Sequence, residues 1–202
     1  MRRDYMRPKR EHATENQQTY MITTTTWGRR ALFQKERWAA LLIDTLYHYR
    51  GAAYLFHEFV VMPDHIHVLL TPLVSLEKAA QFIKGGFSYR AKKELVSNME
   101  VWQKGFQDHR IRDAADYDAH VTYIWQNPVR KHLCQRPEEY PYSSARSEFE
   151  RDPIPQGLKP QVIGAAVGAA EAAPFQNNGE STRRSKAPEA TKPTFDNKNK
   201  IA

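Results

Sequence analysis

From Tyr20 to Leu95 the apolar residues follow two rhythms, one of period two and one near 3.6, and these define most of the elements. Tyr20 to Thr25 alternates and is β-branched, which predicts a strand, and Trp27-Gly28-Arg29-Arg30 turns the chain. Trp38, Leu41, Leu42, Thr45, Leu46 and Tyr49 predict a helix over Gln34 to Tyr49, closed by Gly51. Tyr54 to Met62 and His65 to Thr71 are apolar runs joined by the tight turn Pro63-Asp64, so they should pair as an antiparallel hairpin. Ser75 is a good N-cap for a second helix, with Glu77 in its first turn and a stripe of Leu76, Ala80, Ile83, Phe87, Ala91 and Leu95. Gly85-Gly86 inside that stripe costs about 1 kcal/mol per glycine relative to alanine, so either the helix loosens there or a large group approaches its backbone.

Val101 to Phe106 is short and aromatic and reads as a fourth strand. A third helix is predicted from Asp113 to Gln126, burying Tyr117, Val121 and Ile124 and ending before Pro128. The Pro- and Tyr-rich stretch to Phe149 should wrap the domain as loops. The order strand, helix, strand, strand, helix, strand is the ferredoxin-like split βαβ pattern of an α+β fold, with an additional C-terminal helix. Residues 1–17 read as a flexible arm, 18–150 as the domain and 151–202 as a mostly disordered tail.

Composition narrows the function. The net charge of +7 and pI near 9.5 suit a polyanionic partner, because Lys and Arg release counterions from phosphates. A single cysteine, Cys134, rules out an intrachain disulfide and any cysteine-rich zinc module. The basic N-terminus lacks an apolar stretch, and no run is long enough to span a bilayer, so a soluble, cytoplasmic protein without membrane association is expected.

The candidate chemistry lies on the third strand and the third helix. His65 and His67 are two apart, so both imidazoles leave one face of the sheet while Ile66, Val68 and Leu70 leave the other. Such a pair is half of a site for a borderline divalent ion. His120, Tyr123 and Asn127 share one helical stripe, distinct from the buried row. A helix laid over the open sheet face would bring a phenol, an amide oxygen and two imidazoles together. A tyrosine with its usual pKa near ~10 is a weak nucleophile, but ion-assisted positioning of a phosphodiester would compensate. Magnesium or manganese suits that chemistry.

These segments resemble a known family. Met62-Pro63-Asp64-His65-Ile66-His67-Val68-Leu69-Leu70 is similar to the HUH segment of single-tyrosine transposases, and Tyr123-Ile124-Trp125-Gln126-Asn127-Pro128-Val129-Arg130 resembles the tyrosine helix of their REP-associated branch. Lys84-Gly85-Gly86-Phe87-Ser88, Trp102-Gln103-Lys104-Gly105-Phe106 and Tyr140-Pro141-Tyr142-Ser143-Ser144-Ala145 extend the likeness in order over residues 19–147. The resemblance implies a ferredoxin-like domain that cleaves and rejoins single-stranded DNA near imperfect hairpins through a 5′-phosphotyrosine. Tyr123 would be the nucleophile, and His65, His67 and Asn127 the holders of Mg2+ or Mn2+. In the insertion-sequence branch a glutamine stands four residues after the tyrosine. Asn127 takes that position here, as in the REP-associated branch, and Gln126 is the poorer candidate. Both monomers and homodimers occur in the family.

Lys84, Arg90, Arg110, Arg112, Arg130 and Lys131 are candidate contacts to DNA phosphates, the last four because they bracket the tyrosine helix. Trp27, Trp102 and Trp125 could stack on bases, although core packing is the default for each. His109, beside Asp108, reads as a supporting or surface histidine. The rival readings are a non-catalytic single-stranded nucleic-acid-binding sheet and a nuclease that uses water as nucleophile. Histidines rather than aromatics on the central strand argue against the first.

Overall fold

The computed structural model describes residues 18–155 and 158. Its strands are β1 (Tyr20–Thr25), β2 (Tyr54–Met62), β3 (His65–Pro72) and β4 (Gln107–Arg110). Its helices are α1 (Glu36–Tyr49), α2 (Leu76–Glu94) and α3 (Ala114–Arg130), with three short 3-10 turns. The strands form one antiparallel sheet in the order β2-β3-β1-β4, the arrangement expected of a ferredoxin-like α+β fold.

The sheet separates two apolar clusters, which is why β2 and β3 are buried almost throughout. Ile22, Phe56, Phe59, Val61, Ile66, Val68 and Leu70 pack with Leu42 and Leu46 of α1 and Ile83 and Phe87 of α2. The alternate residues Val60, Met62 and Leu69 form a smaller cluster with Tyr117 and Ile124 of α3 and with Ile111 and Tyr140. Period two on β3 therefore sends Ile66, Val68 and Leu70 to the larger core and leaves His65 and His67 on the side of α3. A β-bulge at Phe56/Glu58 lets His57 and Glu58 both reach α3: the His57 ring lies 6.3 Å from Tyr117, and Glu58 accepts from Trp125 Nε1 at 2.9 Å.

The Ser75 hydroxyl caps α2 by accepting from the Lys78 amide. The glycine pair splits in role: a Cβ at Gly86 would lie 2.5 Å from the Tyr49 ring, while one at Gly85 would meet nothing within 4 Å. A large group does approach the α2 backbone, and it is the Tyr49 ring, stacked on Phe82.

Two expectations are corrected. The fourth strand is Gln107–Arg110, not Val101 to Phe106; Val101 and Trp102 are buried, and Trp102 makes only an isolated bridge to Thr26. Trp102 is core, packed on Phe33 and Phe87 and donating from Nε1 to the Lys84 carbonyl. Nor does Pro128 end α3, which runs on to Arg130 with Pro128 buried in its last turn. The stop comes at His132, in the left-handed region at φ 55°, where His132 N–H bonds to Val129 O and Leu133 N–H to Pro128 O. That pair of bonds is a Schellman ending and satisfies the Pro128 and Val129 carbonyls left open where the helix stops.

The segment Tyr140–Asp152 covers the β2 edge. Val61 N–H donates to Tyr142 O, Ser144 N–H to Phe59 O, and Phe56 N–H to the Asp152 carboxylate. Arg151 also reaches Glu58, so residues 151–152, expected to begin the tail, are tied to the domain. Residues 1–17 and almost all of the expected tail lie outside the described residues.

Candidate active site

Strand register builds the first part of the site. On either side of His67 stand Thr23 of β1 and Val60 of β2; His65 is flanked by Thr25 and Met62. The Thr23 hydroxyl lies 2.7 Å from His67 Nδ1, and the Asp64 carboxylate, from the hairpin turn, lies 2.6 Å from His65 Nδ1. Asp64 also accepts from Arg29 at 3.1 Å. Burial works to raise the Asp64 pKa, but the bonds from His65 and Arg29 outweigh it and hold the carboxyl below its ordinary range. An ionised Asp64 accepts the Nδ1 proton of His65, which leaves a lone pair on Nε2, the arrangement that orients metal-binding histidines.

His67 Nε2 is buried with no hydrogen-bond partner. Burial, with a smaller contribution from His65, pushes the His67 pKa down to about 3, so the ring is neutral at neutral pH. A neutral, buried, unpaired nitrogen beside a second imidazole fits a divalent cation: the ion would satisfy an atom the protein leaves without a partner.

α3 brings the tyrosine. The Tyr123 ring centroid is 5.1 Å from that of His67, which in turn is 4.8 Å from that of His65. Tyr123 is 37% exposed, so its phenol can meet a ligand from solvent. The Arg130 guanidinium sits over the Tyr123 ring at 5.7 Å, and Asn127, one turn beyond Tyr123, is buried. His120, expected on the same stripe, turns away to a different group with Asp116 and His109. Its ring stacks on His109 at 4.4 Å, and each histidine has a ring nitrogen 3.1 Å from an Asp116 oxygen.

The Asp116 carboxyl would be raised by burial, but bonds from His109 and from the backbone and side chain of Arg112 bring it down to about 2. Among the described residues this His-Asp-His group has the spacing to hold a metal ion.

Of the expected cationic contacts, Arg110, Arg112, Arg130 and Lys131 are exposed, and Arg130 lies over Tyr123. Lys84 instead donates to the carbonyls of Gln103 and Gly105, and Arg90 pairs with Asp44 and Glu94. Trp27 is 46% exposed, whereas Trp125 is tied to Glu58. Thr23, Asp64, Glu58 and Asp116 are the supporting residues that sequence reasoning missed. Only Asp64 carried a local signal, since it stands next to His65; the others depend on strand register and helix placement.

A fold of this topology with a histidine pair facing a helical tyrosine defines a class, and the sequence agrees: residues 14–127 match the family model for IS200-like transposases, more than half of the chain. This protein belongs to that family. Within it the chain is similar to the REP-associated tyrosine transposase of Escherichia coli, 27% identical over 145 residues, which cover 70% of this chain and 82% of that one. A Haemophilus influenzae relative named for the same group is 28% identical over 108 residues, 48% of this chain and 61% of its own length. The fold is also that of a solved REP-associated tyrosine transposase bound to a REP hairpin, with a TM-score of 0.54 and 23% identity over 70% of this chain and 88% of that one. No helix among the described residues is long and apolar enough to cross a membrane.

Proposed function

We propose that this chain is a metal-dependent enzyme that cleaves and rejoins single-stranded DNA at hairpin-forming repeats, acting in the cytoplasm. Tyr123 is the nucleophile, and His65, His67 and Asn127 hold Mg2+ or Mn2+. The observation that carries the reading is the unpaired, buried Nε2 of His67 on a ring 5.1 Å from the ring of a half-exposed tyrosine. The REP-associated relatives, one of them solved with a REP hairpin, support the choice of substrate.

When bound, the divalent ion supplies charge neutralisation at the non-bridging oxygens of the scissile phosphate. The protein does the rest. Tyr123 Oη forms the new bond to phosphorus, losing its proton, while the bond to the 3′ oxygen breaks and that oxygen gains a proton. The 5′ phosphate stays on Tyr123. Attack by a 3′-hydroxyl on that phosphotyrosine restores the phosphodiester and the phenol, so no bond energy is lost. Helix α3 fixes where the phenol sits, and Arg130 places positive charge beside it for the phosphate. Arg110, Arg112 and Lys131 supply further phosphate contacts; the ion pairs of Arg90 and the carbonyl contacts of Lys84 make these two lesser contributors.

The test is to incubate the protein with a hairpin-bearing single strand labelled at its 3′ end, with Mn2+, beside Tyr123→Phe. A labelled band of protein mass on a denaturing gel, lost in the variant, is the expected result. Cleavage that survives in Tyr123→Phe would replace the tyrosine by water. Binding with neither cleavage nor adduct across a varied hairpin pool would leave only a binding module.

A further inference from the structure

The geometry points to a second divalent-metal site, built by His109, Asp116 and His120, that takes Zn2+ and ties the edge strand β4 to the helix of Tyr123. It shares no residue with the His65–His67 pair and goes beyond the proposed function. Three observations carry it.

The first is spacing. One ligand atom from each residue lies within 4.8 Å of the others, and both His–Asp separations are 3.1 Å. Around a tetrahedral zinc with bonds of about 2.0–2.2 Å, neighbouring ligand atoms sit about 3.3–3.6 Å apart. Each His–Asp pair therefore needs only a small outward adjustment to span an ion.

The second is preorganisation. Asp116 is oriented from the backbone: its carboxylate accepts from the Arg112 amide at 3.1 Å, and its own amide donates to the Asp113 cap at 2.8 Å. The two imidazoles are stacked at 22°, so one ring must turn before both lone pairs meet at one ion. The third is ligand chemistry. Two imidazoles and one carboxylate on a partly open surface are a donor set for zinc, with room for a fourth ligand from solvent.

Occupancy has a definite cost. Each imidazole must carry its proton on its other nitrogen, giving up the bonds that His109 and His120 now make to Asp116. The Arg112 guanidinium, 3.3 Å from Asp116, is a competing cation, but its side chain is 73% exposed and can swing into solvent. The mechanical consequence is local: His120 lies one turn before Tyr123, so an ion here pins the N-terminal half of α3 to the sheet edge.

The full chain, stripped with chelator, is titrated with Zn2+ against a chromophoric competitor and with Co2+ for its visible d–d bands. In the His65→Ala/His67→Ala variant one tight site should remain, with tetrahedral Co2+ bands and a Zn2+-dependent rise in melting temperature. Adding His109→Ala, at a partly exposed position that should fold normally, should weaken that site at least tenfold and abolish the thermal shift. Absence of zinc binding in the double variant, or its persistence after His109→Ala, overturns the site. The Tyr123 adduct is scored separately, so failure here leaves the proposed cleavage reaction standing, and the reverse.

Discussion

Thr23 Oγ1 lies 2.7 Å from Nδ1 of His67, across the β1–β3 pairing. This bond fixes the orientation of the one imidazole in the site whose other nitrogen is buried and unpaired. Removing an outer partner of a metal-binding histidine typically costs about 10- to 100-fold in metal affinity. Thr23→Val keeps the shape and deletes the hydroxyl, and should therefore weaken Mn2+ binding and adduct formation by that order while Thr23→Ser retains most of both. Equal Mn2+ affinity in wild type and Thr23→Val, measured by titration, would mean the hydroxyl does not orient His67.

Glu58 anchors α3 from below. Its buried carboxylate accepts from Trp125 Nε1 at 2.9 Å, from Ser144 Oγ at 2.5 Å and from Arg151 at 2.8 Å, joining the helix, the β2 bulge and the C-terminal strap. Glu58→Ala takes the acceptor from Trp125 Nε1 and the partner from Arg151, while Ser144 Oγ still has the Phe59 carbonyl at 3.0 Å, so about 1–3 kcal/mol of stability should go with it. Glu58→Gln keeps an acceptor for them and should cost less than half as much. Urea unfolding of the three proteins decides; a loss below about 0.5 kcal/mol in the alanine variant would show that the network carries no load.

The two glycines of α2 should respond with opposite signs. Gly85→Ala meets nothing and gains helix propensity, so it should stabilise by about 0.5–1 kcal/mol. Gly86→Ala drives a methyl into Tyr49, whose ring is held on Phe82 at 5.0 Å, and the clash should outweigh the propensity gain by about 1–2 kcal/mol. Thermal unfolding of the pair would refute this if both moved the same way.

Acid should weaken the metal-free fold early. Folded His67 stays neutral down to about pH 3, while the unfolded chain takes up that proton near 6.5. Between those values the unfolded state binds more protons. The stability is thus complete above the upper value and falls as the pH drops, by up to about 1.4 kcal/mol per unit. His57, also lowered by burial, acts in the same direction. Urea midpoints measured in chelator should fall from pH 7 to pH 5, and His67→Gln should flatten that slope; an unchanged slope in the variant would assign the loss elsewhere.

The strands β1, β2 and β3 and the first two helices were legible because each buries a face against a large core, and burial writes its period into the sequence. The same alternation placed His65 and His67 on the side away from α1 and α2 before any tertiary contact was known. The edge strand β4 was not legible: Gln107, Asp108, His109 and Arg110 pair through their backbone at an open edge, so nothing selects apolar side chains there. Val101 and Trp102 misled because they are buried as loop residues under α2. Pro128 misled because a proline in the last turn forfeits one bond that packing and a Schellman ending can offset.

By itself the sequence determined that a histidine pair leaves one face of a strand and that a tyrosine stands on a helix, since residue type and local period suffice for both. The tertiary structure alone decided how they are grouped. It set Thr23 against His67, sent His120 to Asp116 and His109 rather than to Tyr123, and ran the strap through Asp152 along β2. Those pairings depend on strand register and on the rotation of α3 over the sheet, which long-range packing fixes and no local pattern records.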